Sequence, residues 1–326
     1  MKNLLQLSKL TFLLFVGFSI QSCSDDDDDV TTPTGPSNIV EIAMDTPDLS
    51  NLVAALSVAD GNLVDVLSGG EFTVLAPTNE AFETFLAANG FMSLSEVPTD
   101  VLSNILLNHV ISGTINSTNL VDAGSGYSTT NASNMDGDNL SLYFDTSSGV
   151  TFNGISSVVA ADIVASNGIV HVVDEVIGLP TVVTFAVSNP ALSTLVAAMT
   201  TEGLSVDIVS ILSSSDEPSP FTVFAPTNDA FGSLLAELEL NALGDIPVSI
   251  LEATLGTHVA PEANVRSTDL VDGMSVNTIS STITVSLSDG AKLIDPNGRE
   301  SNIVAVDIQA YNGVVHVIDN VLLPQL

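Results

Sequence analysis

Phe72-Thr73-Val74-Leu75-Ala76-Pro77-Thr78-Asn79-Glu80-Ala81-Phe82 recurs, almost unchanged, as Phe221-Thr222-Val223-Phe224-Ala225-Pro226-Thr227-Asn228-Asp229-Ala230-Phe231. A second stretch, Asn167-Gly168-Ile169-Val170-His171-Val172-Val173-Asp174, recurs as Asn312-Gly313-Val314-Val315-His316-Val317-Ile318-Asp319. Between them Ser117-Thr118-Asn119-Leu120-Val121-Asp122 is echoed by Ser267-Thr268-Asp269-Leu270-Val271-Asp272. The period of 145–150 residues far exceeds that of solenoid repeats, so each copy is a whole domain. A chain of 326 residues has room for two. The join falls near Leu179-Pro180 with hardly any linker, which predicts two domains packed end to end.

Apolar spacing sets the elements inside each copy. Thr46-Pro47 and Asn189-Pro190 read as an N-cap with Pro at the first helical position. Leu49, Leu52, Val53 and Leu56, and in the second copy Leu192, Leu195, Val196 and Met199, then follow an amphipathic helical stripe. A strand over 72–75, or 221–224, is expected to stop at Ala-Pro. Thr78 and Thr227 are placed to cap the next helix, whose second-copy stripe is Phe231, Leu234, Leu235 and Leu238. A third helix carries Leu102, Ile105, Leu106 and His109, with Leu251, Thr254, Leu255 and His258 in register. Asp-Gly and Asn-Gly turns later separate β-branched runs such as 283–287 and 303–306. Helices first, with one early strand and the remaining strands after, predict an α+β domain.

The segments T-V-x-A-P-T-N-x-A-F and N-G-x-V-H-V-x-D resemble the two signatures of the fasciclin (FAS1) domain, and the resemblance covers residues 37–326. It implies two domains in tandem, 37–180 and 181–326, each a wedge-shaped β-sandwich flanked by helices. It also implies extracellular adhesion modules, often on membrane anchors. Animal members make integrin contacts through an Asp-Ile pair just before the second signature. Asp162-Ile163 and Asp307-Ile308 match that pair. A second contact motif centres on Tyr-His; here the pairs are Asn108-His109 and Thr257-His258, so its aromatic contact is missing.

The first thirty-six residues read as an address and a tether. Lys2 and Lys9 precede an uncharged apolar run of eleven residues, 10–20. A spanning helix needs about twenty, so 1–22 is predicted to be a signal peptide. Ile20-Gln21-Ser22-Cys23 resembles the lipobox of bacterial lipoproteins, which implies cleavage before Cys23 and lipid attachment there. Five consecutive aspartates, 25–29, and the Pro/Thr/Gly run 30–37 carry no hydrophobic face, so 23–36 reads as a disordered tether. An acidic run after a lipidated cysteine resembles an export signal, giving an outer-membrane lipoprotein exposed at the cell surface. The membrane is then touched through the lipid anchor only.

Composition removes several functions. Five Lys and Arg face 39 Asp and Glu, and residues 38–180 contain no Lys or Arg. Nucleic-acid binding needs clustered cations to replace phosphate counterions, so nucleic acid is not an expected partner. The single cysteine excludes an internal disulfide and any cysteine-based metal cluster. All four histidines pair between copies, His109 with His258 and His171 with His316. Zinc would need three or four ligands, and the apolar surroundings favour hydrogen-bonded core imidazoles. Asp162 with Asp174, and Asp307 with Asp319, offer carboxylate pairs of the kind acid–base catalysis uses. Their place beside Asn-Gly turns favours backbone bonding instead. Asp136-Gly137-Asp138-Asn139 lacks the spacing and distal Glu of a calcium loop and reads as a hairpin turn. No nucleophile elbow, P-loop, dinucleotide fingerprint or H-E-x-x-H occurs.

The expectation is a non-catalytic adhesion lipoprotein without metal or cofactor, contacting extracellular protein or polysaccharide, with avidity from its tandem copies. The candidate contact residues are Asp162, Ile163, Asp307, Ile308, His109 and His258. The alternatives are a module capturing a soluble glycan for uptake and a surface hydrolase.

Overall fold

The computed structural model describes residues 36–325. The signal peptide, the lipid site at Cys23 and nearly all of the tether lie outside the described residues.

The first copy contains β1 (Phe72–Pro77), β2 (Val110–Ser112), β3 (Ser125–Ser133), β4 (Asn139–Asp145), β5 (Thr151–Phe152), β6 (Ser156–Ala165) and β7 (Gly168–Val173). The second repeats them as β8 (Phe221–Pro226), β9 (Val259–Ala260), β10 (Ser275–Asn277), β11 (Thr282–Ser286), β12 (Lys292–Ile294), β13 (Glu300–Ala310) and β14 (Gly313–Ile318). The fold is α+β, as expected.

The two signatures of each copy are neighbours in space. β1 runs parallel to β7, Phe72 opposite Gly168 and Pro77 opposite Val173. β8 runs parallel to β14, Phe221 opposite Gly313 and Pro226 opposite Ile318. Parallel strands need a long crossover, and everything between the signatures supplies it. Such a pair is covered on both faces, which is why it reads as a nearly unbroken apolar run. Val74, Ala76, Val170 and Val172 pack under the helices, while Leu75 and Val173 face the inside of the rolled sheet. Contrary to expectation, the strand runs on through Ala76 and Pro77. Pro has no N–H to contribute, and the last strand residue is a place that tolerates this.

The glycine of the second signature is demanded by that pairing. Gly168 has φ +146°, and a Cβ there would sit 1.9 Å from the Phe72 carbonyl oxygen. At Gly313 the corresponding distance to Phe221 is 2.0 Å. No other residue fits.

Helices Ser50–Val58, Asn79–Ala88 and Thr99–Leu107 cover one side of the first sheet, burying Leu52, Leu56, Phe82 and Leu102. Thr78 and Thr227 cap their helices by accepting from the N–H of Ala81 and Ala230, each at 3.2 Å. Asn189 accepts from the Ala191 N–H at 3.0 Å, but the Thr46 hydroxyl donates backwards to Ile42 O at 2.7 Å. Both Pro47 and Pro190 open short 3-10 turns before the helix proper. Helix Asn228–Glu237 ends before Leu238, which is exposed.

In the first copy the sheet closes on itself, because Ile111 of β2 pairs with Thr130 of β3. In the second, β9 pairs only with β8 and β10 only with β11, so the sheet stays open.

The joint between copies is aromatic, and all three tyrosines of the chain lie at it. Tyr143 is buried in the second copy's core. Tyr127 meets Tyr143 at 5.1 Å and the edge of Phe185 at 5.7 Å between ring centres. Asn189 Nδ2 donates to the Tyr127 hydroxyl (3.1 Å), and burial pushes that phenol up to about 12. The Tyr311 N–H donates to Pro180 O (2.7 Å), and the Gln309 N–H to Ser141 Oγ (3.0 Å). The Asp136-Gly137-Asp138 turn joins β3 to β4 and reaches across the joint. Arg266 donates to Asp138 (2.9 Å) and Asn264 to Asp136 (3.0 Å).

Candidate binding site around the Asp-Ile pairs

Each histidine of the second signature completes a strand irregularity. β6 and β13 both carry a bulge before their Ile, with Asp162 at φ 59° and Asp307 at φ 57°. A bulge leaves an amide without a ladder partner. The Asp162 N–H instead donates to His171 Nδ1 (3.2 Å), and His171 Nε2–H donates to Ile115 O (2.9 Å). His316 does the same with the Asp307 N–H (3.4 Å) and Val265 O (2.8 Å). In that arrangement Nδ1 accepts and Nε2–H donates.

The other two imidazoles use the opposite tautomer. His109 Nδ1–H donates to Ile105 O (2.8 Å) and its Nε2 accepts from the Ile177 N–H (2.9 Å). His258 Nδ1–H donates to Thr254 O (2.7 Å) and its Nε2 accepts from the Leu322 N–H (3.0 Å). Each ties the segment after the second signature to the third helix. Burial lowers both rings to about 4, and burial also lowers His316. His109 and His258 lie past the last helical residue, not within the helix, and are buried with both nitrogens engaged. They therefore leave the candidate contact surface. Asn108 and Thr257, in the place of the motif's tyrosine, are fully buried too.

The carboxylates of the Asp-Ile pairs hold a neighbouring turn. Asp162 Oδ1 accepts from the Ser117 N–H at 2.8 Å and its Oδ2 from the Ser117 hydroxyl. Ser117's hydroxyl, then its N–H, lower the Asp162 carboxyl below its usual range. Asp307 makes the same two contacts with Ser267, the N–H at 2.7 Å. These are the serines that open the S-T-x-L-V-D echo. The repetition of that segment is the sequence signal of this contact, although the sequence does not say which carboxylate it meets.

Asp174 and Asp319 are also engaged, though not with the adjacent turn. Asp174 Oδ1 accepts from the Ser157 N–H (2.6 Å), and Asp319 Oδ1 from the Asn302 N–H (2.7 Å). Among the described residues, no group of three or more His, Cys, Asp or Glu side chains comes together to hold a metal. All three cations described are ion-paired: Arg266 with Asp138 and Asp269, Lys292 with Glu300 and Asp289, Arg299 with Glu237 and Asp295.

The two Asp-Ile pairs differ in access. Asp162 is exposed and Ile163 half-buried, within a strip where Val159 is 57% and Val164 73% exposed. In the second copy Ile308 is 3% exposed, packed in a core that includes Tyr143 from the first copy. Ile308 thus also leaves the candidate surface, and Asp307 beside it is half-buried. The accessible pair is Asp162 and Ile163.

The sequence matches the family described as Fasciclin domain over residues 47–180 and 190–324. Protein sll1483 of Synechocystis sp. is 38% identical over 146 residues, covering 45% of this chain and 74% of that protein. Transforming growth factor-beta-induced protein ig-h3 of Sus scrofa is 29% identical over 257 residues. That alignment covers 78% of this chain and 35% of ig-h3, so the chain spans a minor part of that protein. Cell surface glycolipoprotein MPB83 of Mycobacterium bovis is 45% identical over 94 residues, 25% of this chain and 41% of MPB83. Among solved structures, a FAS1 domain pair from the insect cell adhesion molecule Fasciclin I shares the fold, with TM-score 0.51 and 21% identity. That match covers 85% of this chain and 97% of the other. With both signatures in both copies and the same paired architecture, the chain belongs to the fasciclin-domain family and carries two of its domains in tandem.

Proposed function

We propose that this is a non-catalytic surface protein that grips extracellular protein or polysaccharide with the outer edge of β6 in its first copy. The observation that carries this reading is the strip 159–164. β5 pairs with β6 only at Ser156 and Ser157, so beyond Val158 the outer edge of β6 has no ladder partner among the described residues. Val159, Ala160, Ala161, Asp162 and Val164 are exposed along it. An unpaired edge is a template for an added strand, and contiguous exposed apolar side chains mark interaction surfaces. The names of the relatives agree in kind: MPB83 is a cell surface glycolipoprotein, and Fasciclin I a cell adhesion molecule.

The lipobox-like Ile20-Gln21-Ser22-Cys23 and the aspartate run support a lipid anchor at Cys23 on the outer face of an outer membrane. Incorporation of labelled palmitate, lost in Cys23→Ser, is the expected result. Residues from Pro36 onward form one compact unit, and the binding role is tested by passing that unit over immobilised matrix proteins and polysaccharides. Saturable binding to at least one is expected. Failure to bind any, with cleavage of one of the polymers, would replace this reading with the hydrolase.

A further inference from the structure

The second copy contains a cavity of about 630 Å³ beside the seam its sheet leaves open. Its walls are Val206, Ile208, Ile211, Leu255, Val259 and Ile279. In the first copy, Asn104 on the third helix clamps the end of β3. Its Nδ2 donates to Ser133 O (2.8 Å) and its Oδ1 accepts from the Ser133 N–H (3.0 Å). Leu107, one turn on, adds bulk beside it. In register, the second copy has Ala253 and Gly256, which can neither clamp nor fill. Residues 278–281 cross Gly256 instead, so closely that a Cβ there would meet Ser280 Oγ at 2.1 Å. The Ile279 N–H is held by Val259 O (2.9 Å).

The chemistry of the walls and rim selects an occupant. The volume lies within the range of pockets that enclose drug-sized ligands. The walls are aliphatic, and the polar lining is Ser205, Ser249, Glu252 and Ser280, with no Lys, Arg or His. Glu252 is fixed in place by the Ser205 N–H (3.0 Å) and the Ser205 hydroxyl. The hydroxyl first, then the N–H, hold its carboxyl below the usual range, so it stands charged at the mouth. A carboxylate mouth over an aliphatic pocket attracts a cationic head and repels an anionic one. We propose that this cavity binds a small cationic amphiphile, an alkyl amine or amino alcohol, with its chain against the aliphatic walls and its ammonium at Glu252. The proposal is independent of the β6 strip and concerns a different ligand class.

The test uses the compact unit from Pro36 onward and displacement of the neutral fluorescent amine N-phenyl-1-naphthylamine. Dodecylamine should displace it at the lowest concentration, dodecanol next and dodecanoate last. Ala253→Phe, which fills the cavity, should weaken dodecylamine at least about tenfold, a loss of about 1.4 kcal/mol. Glu252→Gln should bring amine and alcohol together while leaving alcohol binding in place. If Ala253→Phe does not fold, Ile211→Lys on the exposed lip replaces it, with the same loss expected. Equal displacement by the three amphiphiles would overturn the proposal. So would dodecylamine binding that survives the cavity variant that folds, which would reveal only attraction to an acidic surface.

Discussion

The two copies share their frame and differ at one seam. Both set the signatures side by side as parallel strands, both require glycine where those strands begin, and both place four matched imidazole contacts. Yet the first sheet closes into a ring and the second stays open. The residues that differ beside that seam lie outside the signatures: Asn104, which holds Ser133, against Ala253, and Leu107 against Gly256. The lesson is that the signatures specify the frame, whereas a few helix residues decide which surface each copy offers. The joint adds a second asymmetry. It buries the Asp-Ile end of β13 and leaves that of β6 open.

Equivalence of the frame has the largest expected effect. Gly168→Ala and Gly313→Ala each drive a Cβ into the carbonyl of the neighbouring strand, so each should cost more than about 4 kcal/mol or prevent folding. Urea denaturation reads both. Tolerance in one copy alone would show that the frames are not equivalent.

Acid should act on both copies alike. His109 and His258 are neutral in the fold, with pKa about 4 against 6.5 for the free side chain. As pH falls, the unfolded chain therefore takes up these protons first. Their contribution is complete above pH 6.5, declines from there to about pH 4, and is flat below. The loss is about 3 kcal/mol for each ring. Stability measured against pH should fall less steeply over that window, by one proton, in His109→Gln and equally in His258→Gln. Unequal changes would separate the copies.

The seam comes next. Asn104→Ala orphans the N–H and C=O of Ser133 and should cost about 1–3 kcal/mol. Ala253→Asn, with no strand end to clamp, should change stability by about 0.5 kcal/mol or less. Amide exchange at Ile111 should accelerate in the first variant, because that residue carries the ring closure. A comparably small effect belongs to the joint's ion pair. Arg266 is 42% exposed at its side chain, so Arg266→Ala should leave the urea midpoint almost unchanged.

Much of the frame was legible because it rests on local chemistry. The Thr-Asn cap, the helical stripes and the Asn-Gly position all follow from residue type and spacing. Asn79 shows where that reading stops. Its amide donates to Pro47 O (3.0 Å) and its oxygen accepts from the Asn51 N–H (2.8 Å), a contact between segments whose approach no periodicity reveals. The candidate site was half legible. The Asp-Ile pairs could be found, but the burial of Ile308 comes from the other copy, and sequence within one repeat carries no sign of it. Three tyrosines in a chain without Trp are the sequence's one sign of the joint, since all three lie at it. The cavity was illegible because it depends on what Ala253 and Gly256 lack.

The central claim is that two copies of one frame present different surfaces, with the first copy's β6 edge as the gripping one. Affinity for the matrix component captured from the panel, measured for Val159→Glu with Val164→Glu and for Val304→Glu with Val306→Glu, tests it most directly. The first pair should weaken binding at least about tenfold and the second less than about twofold. Equal losses, or a larger loss from the β13 pair, would contradict it.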